Sequence, residues 1–276
     1  MAITNFIPTV WSENLLRSLD KQYIGVANCN REYEGEIREK GSKVKICGLN
    51  DVTVGDYVKN QNLSAPETLS DSFTVLSIDQ AKYFNFQIDD VDRAQSVPGL
   101  MDLALHNAAC ALAKEADTYV YSVVNEAIHE LRNTDPSAES LIDTIVEART
   151  LLQRNGVSDP NDIVIEVTPE VAGLLLKAKL FFATNNTEAM ENGCIGNVAG
   201  CKIYVSSNIP VLDTSDGYMY GCMARTRRAI AFAEQLSEIE AYRPELRFAD
   251  GMKGLHLYGA KLVYPDELIA VKISEL

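Results

Sequence analysis

The chain has little of the chemistry on which small secreted proteins and metalloproteins depend. Its six cysteines form no CxxC pair, and the three histidines, His106, His129 and His256, stand far apart in the sequence. Disulfide frameworks and zinc sites need closely spaced sulfur or imidazole groups. We therefore expect no metal and no cofactor. We expect the cysteines to be free thiols, as in a reducing, cytoplasm-like compartment.

Positive charge and long apolar runs are also scarce. The chain has 25 Lys and Arg against 39 Asp and Glu, which gives a net charge of −14. Tight binding of nucleic acid requires clustered Lys and Arg side chains, so we expect any contact with DNA to be weak and non-specific. No apolar run approaches the roughly 20 residues of a membrane-spanning helix. The first residues, "MAITNFIPTVWSENLL", lack the basic and apolar regions of a secretory signal, so we expect no membrane partner.

The composition is otherwise that of a globular protein, with 46% hydrophobic and 23% charged residues. Near the start, Trp11, Leu15, Leu16 and Leu19 recur at helical spacing. One short amphipathic helix cannot bury such a stripe by itself. We therefore expect this N-terminal arm to dock on the body of the protein or on a neighbouring copy.

A long two-stranded projection follows the arm. Val44 and Ile46 alternate with Lys43 and Lys45, and the alternation of the return strand continues unbroken from about residue 74 to residue 88. The intervening sequence is polar and rich in turn-forming residues. A hairpin that stands alone is marginally stable in water, so we expect its packing partner on another copy of the chain.

The next segment is predicted to be one long helix from Gly99 to about Arg132, about 34 residues or roughly 50 Å. Shorter α/β elements begin at Ser137. They include a helix that ends at Gly156, the buried strand "DIVIEV", a helix capped by Thr168, and strands on either side of a loop "LDTSDG". The remainder is rich in strands up to "LIAVKI".

This order of elements resembles the major capsid protein of tailed bacteriophages, with its α+β Hong-Kong-97-type capsid fold. The strings that carry the resemblance span nearly the whole chain: "TNFIPTVWSENLL", "REYEGEIREKGSKVKI", "TVGDYVKN", "IDQAKYFNFQIDDVDRAQ" and "YGAKLVYPDELIAVKI". None of these strings is a catalytic signature, so the resemblance implies a structural protein and no enzyme.

The resemblance implies a division of the chain. The N-terminal arm would be residues 1–30, and the extended loop residues 31–82. The peripheral domain with its spine helix would comprise residues 83–134 and 250–276, and the axial domain residues 135–249. Proteins of this family assemble in the host cytoplasm as pentamers and hexamers, forming an icosahedral shell around double-stranded DNA. Here the resemblance also implies a separate scaffolding protein and a portal as partners.

Candidate contacts between subunits lie on the projection and on the loop "LDTSDG". We interpret their charges as contacts between neighbouring copies or, equally, as solvated faces. The candidates are Glu34, Glu36, Lys43, Lys45, Asp56, Tyr57, Lys59, Asp213 and Asp216.

Two charged clusters need a separate interpretation. Asp89, Asp90 and Asp92 could form a metal or acid/base site, but no histidine or further acidic pair completes one. We interpret them as the hinge between the projection and the long helix. The arginines of "ARTRRA", at positions 225, 227 and 228, could touch nucleic acid, but in so acidic a chain we expect them to pair with carboxylates.

Two alternatives remain open at the level of sequence. One is a bacterial encapsulin-type compartment, which shares the fold and stores an enzyme. The other is a soluble enzyme that uses the Asp89, Asp90 and Asp92 cluster.

Overall fold

The computed structural model describes residues 15, 18–19, 21–33, 43–49, 59, 71–90, 100–177, 194–215 and 217–275. The α-helices in this part of the chain are α1 (Leu100–Ser122), α2 (Ala138–Arg154) and α3 (Pro169–Lys177). The strands up to the middle of the chain are β1 (Lys43–Leu49), β2 (Asp71–Ser77), β3 (Gln80–Asp89), β4 (His129–Asn133), β5 (Ile163–Val167), β6 (Cys194–Val198) and β7 (Cys201–Val205). The later strands are β8 (Val211–Thr214), β9 (Gly217–Thr226), β10 (Ile230–Tyr242), β11 (Ala249–Leu262) and β12 (Leu268–Ser274).

A seven-stranded sheet forms one half of the molecule, in the order β4-β12-β9-β5-β7-β6, with β8 paired to β9. Every residue of β5 is buried, as its continuous apolar sequence predicts. Helices α2 and α3 pack against this sheet through Leu141, Ile145 and Leu175. Thr168 caps the N-terminus of α3, and Gly156, at φ 99°, follows the end of α2, as the sequence predicts. Ser137 caps the N-terminus of α2.

A three-stranded antiparallel sheet, in the order β10-β11-β3, forms the other half. Helix α1 lies on one face, where Leu105 and Leu112 share a core with Phe232 and Tyr258. The β1–β2 hairpin lies on the opposite face, which we call the outer face. There, residues of the hairpin (Val44, Ile46, Leu76 and Ile78) pack on residues of the sheet (Ala231, Ala233 and Leu257).

The approach of the hairpin to the sheet is close. A Cβ atom on Gly259 of β11 would lie only 2.2 Å from the carbonyl oxygen of Ser77. Glycine is therefore required where the end of β2 crosses the sheet.

The described part of the N-terminal arm packs on the body of its own chain, one of the two options expected. Leu15 and Leu19 are almost completely buried in the core around α1. Trp11 and Leu16 lie outside the described residues.

The prediction of one helix from residue 99 to residue 132 is wrong at its C-terminal end. Helix α1 ends at Ser122, a 3₁₀ turn covers Val123–Glu126, and the chain then forms β4. Strand β4 pairs in parallel with β12, with Leu131 opposite Val271. The apolar residues after Ser122 fit a helical pattern, but the pairing with a strand from the far end of the sequence decides their structure.

The prediction of one long return strand is also wrong, because the structure contains two strands that separate at Ile78 and Asp79. Strand β2 pairs with β1 as predicted, in the register that places Lys43 opposite Ser77, whereas β3 pairs with β11. The alternation continues across the break, but the two strands use it differently. Leu76 and Ile78 face the outer-face core, whereas Phe84 and Phe86 face α1.

The predicted loop "LDTSDG" is shorter than expected. Its first residues belong to β8, which turns directly into β9, and Thr214 Oγ1 donates a 2.8 Å hydrogen bond to the carbonyl of Gly217. Gly217 has φ 104°, which suits the turn. Asp213 therefore lies on a strand, and Asp216 lies outside the described residues.

The last strands divide between the two sheets. The resemblance implies that β4 and β12 belong to the peripheral domain and β10 to the axial domain. In the structure, β4 and β12 belong to the seven-stranded sheet and β10 to the three-stranded sheet. Of the described helices, none combines the length and the apolar composition needed to cross a membrane.

Candidate interface surfaces and the buried junction

The outer face of the three-stranded sheet is covered at only one end. Near β2 the hairpin buries it, but further along β3 and β11 the same face carries Tyr83, 78% exposed, and Leu255, 38% exposed. An open groove of about 320 Å³ lies here, between Tyr83 and Asn85 on one side and Glu240 and Lys253 on the other. Lys253 and Glu240 form a 2.6 Å ion pair in solvent. The distal part of the outer face is therefore an apolar surface with a charged rim, as protein interfaces have.

The turn between β10 and β11 is a second exposed apolar surface. Leu246 is 96% exposed and Phe248 is 80% exposed. The turn is nevertheless held in place, since Arg243 pairs with Asp90 and the backbone N–H of Asp90 donates a 3.0 Å hydrogen bond to the carbonyl of Phe248. A fixed turn loses little conformational entropy when it binds a partner.

The predicted aspartate cluster is divided by this arrangement. Asp90 pairs with Arg243, Asp89 is the exposed last residue of β3, and Asp92 lies outside the described residues. Within the described ranges, no group of three or more His, Cys, Asp or Glu side chains could hold a metal ion. The contacts of Asp90 are those of a residue that stabilises the turn, and the hinge remains a prediction.

The described candidates on the projection lie on its surface. Lys43 and Lys45 point to solvent from β1, and the ammonium group of Lys45 lies 5.4 Å from the centre of the exposed Phe73 ring. Lys59 is exposed. The other candidates on the projection, Glu34, Glu36, Asp56 and Tyr57, lie outside the described residues. An interface role for these side chains stays a prediction.

The β8–β9 hairpin carries the remaining described candidate. Asp213 is exposed and lies opposite Tyr218 in the strand register, and Val211 and Tyr218 both expose at least half of their surface. This hairpin is thus a third exposed surface that combines apolar and acidic side chains.

The interior of the protein contains a group of buried charged side chains around Arg225, which we call the buried junction. Sequence analysis did not identify it. Arg225 donates two hydrogen bonds, of 2.9 and 3.0 Å, to Glu166, and both side chains are completely buried. The same guanidinium donates to the backbone carbonyls of Gly25 and Asn28, at 2.9 and 2.6 Å. Since Arg225 lies beside a carboxylate, its pKa is raised further above neutrality despite the burial, and it remains charged.

A second carboxylate holds the same N-terminal segment from the opposite side. Asp117 of α1 accepts hydrogen bonds from the backbone N–H groups of Ile24 and Val26, at 3.1 and 3.0 Å. Burial raises the pKa of Asp117 to about 6, although these N–H groups act in the opposite direction. Residues 24–30 are therefore fixed between α1 and the seven-stranded sheet.

The prediction that the arginines of "ARTRRA" pair with carboxylates is confirmed at two positions. Arg225 binds Glu166, and Arg228 binds Glu267 through two nitrogens. Arg227 is exposed. The sequence carried one unused signal: Glu166 interrupts the buried apolar strand β5, and a buried carboxylate needs a charged partner.

An extended hairpin, a helix laid across a three-stranded sheet, and a larger α/β sheet together define the fold. No protein-family model matches the chain, and neither does any curated protein. Several solved structures do match. One from Mycobacterium phage Che8 is 28% identical, with a TM-score of 0.70 over 90% of each chain.

Two further structures have the same fold at lower identity. The mature capsid of bacteriophage PhiM1 is 19% identical, with a TM-score of 0.67 over 92% of this chain and 88% of the other. A virus-like particle from Pyrococcus furiosus is 11% identical, with a TM-score of 0.59 over 94% of this chain and 96% of the other. The chain has the α+β fold of tailed-phage major capsid proteins, so the predicted fold is confirmed.

Proposed function

We propose that this chain is the structural subunit of an icosahedral phage capsid, and that its copies assemble as pentamers and hexamers around double-stranded DNA. The observation that carries the proposal is the likeness to phage structures over nine-tenths of the chain, at 28% identity for Mycobacterium phage Che8. In this proposal the chain builds the shell through contacts between its copies and catalyses no reaction.

The exposed apolar surfaces give the proposal a physical basis. The groove beside Tyr83 and Leu255 and the turn with Leu246 and Phe248 leave large side chains in water. Burying apolar surface contributes about 25 cal/mol per Å². In a shell, the projection of one copy covers the outer face of the next, because each copy covers only part of its own.

Assembly must also overcome charge repulsion. Each copy carries a net charge of −14, so copies repel one another at low ionic strength. Salt weakens this repulsion between charges that are more than one Debye length apart, which is about 8–10 Å near physiological ionic strength. We therefore expect closed particles to form more readily as salt is raised.

The two sheets suggest how the copies are arranged. The seven-stranded sheet would form the axial domain, with Asp213 of the β8–β9 hairpin facing a symmetry axis together with Asp216. The three-stranded sheet with α1 would form the peripheral domain. Contacts with neighbours would come from Tyr57 and from the charged side chains of the projection: Glu34, Glu36, Lys43, Lys45, Asp56 and Lys59. A separate scaffolding protein, a portal and weakly held DNA complete the proposed partners, and the assembled protein resides in the virion.

The Pyrococcus furiosus virus-like particle supports a second candidate, a compartment of the encapsulin type. Its identity to this chain is 11%, against 28% for the phage Che8 structure, and this difference favours the phage capsid. An enzyme that uses the aspartate cluster gains no support, since Asp90 is engaged with Arg243.

The test is to express the chain alone and examine it by negative-stain electron microscopy and light scattering over a range of salt concentrations. We expect closed particles or capsomer rings. A protein that stays monomeric at every salt concentration, and also when co-expressed with the products of neighbouring genes, would contradict the proposal.

A matched variant lacks the polar tip of the projection, residues 53–70. We expect this variant to fold as a monomer with the thermal stability of the parent but to form no closed shells, because it cannot reach its neighbour. Normal shells from the deletion variant would rule out the proposed role of the projection.

A further inference from the structure

Residues from the N-terminal arm and from the start of the projection meet at one buried carboxylate. Glu234 of β10 accepts a 2.5 Å hydrogen bond from the hydroxyl of Tyr23 and a 2.6 Å hydrogen bond from Arg31. The Nε2 atom of His256 lies 2.8 Å from the same carboxylate. Tyr23, Glu234 and His256 are all buried. One carboxylate therefore holds three partners, each by a direct contact.

The positions of two partners in the chain are informative. Tyr23 belongs to the N-terminal arm (residues 1–30), and Arg31 is the first residue of the projection (residues 31–82). Their side chains also contact each other, with the Arg31 guanidinium 5.8 Å from the centre of the Tyr23 ring. Residues 24–30 between them are held independently, by Asp117 and Arg225. The two ends of a fixed segment thus converge on one acceptor.

The charge of Glu234 makes this arrangement cooperative. Burial alone would raise the pKa of Glu234, but His256, Tyr23 and Arg31 outweigh the burial and lower it. The partners therefore favour the ionised form of the buried carboxylate. Losing one partner leaves a buried charge that is less well compensated, which weakens the position of the others.

We propose that Glu234 couples the N-terminal arm to the base of the projection. When the arm is docked through Tyr23, Arg31 is held, and the projection leaves the body in a defined direction. When the arm is undocked, Arg31 loses part of its anchor. The coupling is a property of the single chain, and its consequence for shell closure rests on the proposed function. Glu234 is accordingly a positioning residue for assembly.

The coupling can be measured on the unassembled full-length chain by hydrogen exchange. Two amides report on the two ends: the N–H of Tyr23, bonded to Leu19, and the N–H of Asn30, bonded to Ile230. Arg31→Met should accelerate exchange at Tyr23, and Tyr23→Phe should accelerate exchange at Asn30. A hydrogen bond to a charged group is worth enough for each change to be about tenfold.

The matched control is Tyr242→Phe. It removes an exposed phenol that donates a 2.7 Å hydrogen bond to Asn85, far from both reporters. We expect no change at either amide. Exchange at Asn30 that is unaltered in Tyr23→Phe, together with exchange at Tyr23 that is unaltered in Arg31→Met, would overturn the proposal. The change in opening free energy, measured from the exchange rates, should be smaller in the double variant than the sum of the changes in the two single variants, as coupled sites require.

Glu234→Gln provides a second measurement, since it keeps the size of the side chain but removes the charge. Both amides should then exchange faster together, and a change at only one of them would contradict a shared anchor. Where the parent chain forms shells, Tyr23→Phe and Arg31→Met should each lower the yield of closed particles. If the parent forms none at any salt concentration, nor when co-expressed with the products of neighbouring genes, the proposed function fails, while the exchange data still decide the coupling.

Discussion

The junction around residues 24–31 buries charged side chains, whereas the outer face of the three-stranded sheet leaves apolar side chains exposed. In the junction, charged groups such as Arg225 and Glu166 are fully buried, and each is bonded within the chain. On the outer face and the adjoining turn, large apolar side chains such as Tyr83 and Leu246 are left in water. The first region is complete in one copy, whereas the second has exposed apolar side chains that another copy would cover in the proposed shell. Changes in the junction should therefore alter the stability of the monomer, and changes at the surface should alter assembly.

The largest effect on stability is expected from Arg225→Met. The substitution leaves Glu166 as a buried carboxylate without its charged partner and removes one donor from each of the carbonyls of Gly25 and Asn28. Breaking a buried ion pair in this way costs about 3–5 kcal/mol. Denaturant unfolding of the monomer measures the loss. The control is Lys261→Met, whose ion pair with Glu126 is exposed on both sides and which should cost about 1 kcal/mol or less. Equal losses in the two variants would contradict the contrast between the regions.

A smaller effect is expected from pH at Asp117. Its folded-state pKa of about 6 lies above the usual 3.8, so its contribution to stability is fully present below about pH 3.8 and is lost as pH rises through about 6. Asp117→Asn removes this ionisation. Between pH 4 and pH 7 the parent should lose about 2–3 kcal/mol relative to Asp117→Asn, in unfolding measured across that range.

The matched control for this pH dependence is Asp213→Asn, at an exposed position on β8. Its stability should follow the parent at every pH. If the stabilities of the parent and of Asp117→Asn changed in parallel with pH, the buried carboxylate would not titrate in this range.

At the surface, the double substitution of Leu246→Ser and Phe248→Ser should leave the monomer within about 0.5 kcal/mol of the parent. Its closed particles should form more slowly or only at higher protein concentration, because less apolar surface is buried between copies. Light scattering follows the assembly. The apolar pair Leu246→Met and Phe248→Leu should assemble like the parent, and failure of this pair would point to shape rather than hydrophobicity.

The smallest effect is expected from Lys253→Met, which breaks the solvent-exposed pair with Glu240. Such pairs contribute about 0–1 kcal/mol, so the unfolding curve should barely change. A loss as large as that of Arg225→Met would show that the outer face is also a completed structure in the monomer.

Local chemistry explains which parts of the fold were predictable. The alternation of Val44 and Ile46 with the flanking lysines, the cap at Thr168, and the buried strand β5 all appear where the sequence places them. Each depends on interactions between residues close in the sequence. By contrast, the strand at residues 129–133 was predicted as helix, since its partner β12 lies about 140 residues later.

The candidate surfaces divide in the same way. Exposure of Lys43, Lys45 and Asp213 follows from local pattern, and the structure places them in solvent. The groove beside Tyr83 could not be predicted, because it depends on three strands that meet from distant parts of the chain. The junction around Arg225 depends likewise on residues 25, 28 and 166, which the sequence keeps far apart.

The sequence by itself determined the acidic surface, the alternating strands of the projection, the capped helices and the order of elements that resembles a capsid protein. Composition, periodicity and capping act over a few residues, so they can be read without a structure. Only the tertiary structure decided where β2 leaves β1 and β3 joins another sheet, where α1 ends, and which carboxylates hold the N-terminal segment. Those outcomes depend on which distant strands pair and which charges are buried together, and no local pattern encodes that choice.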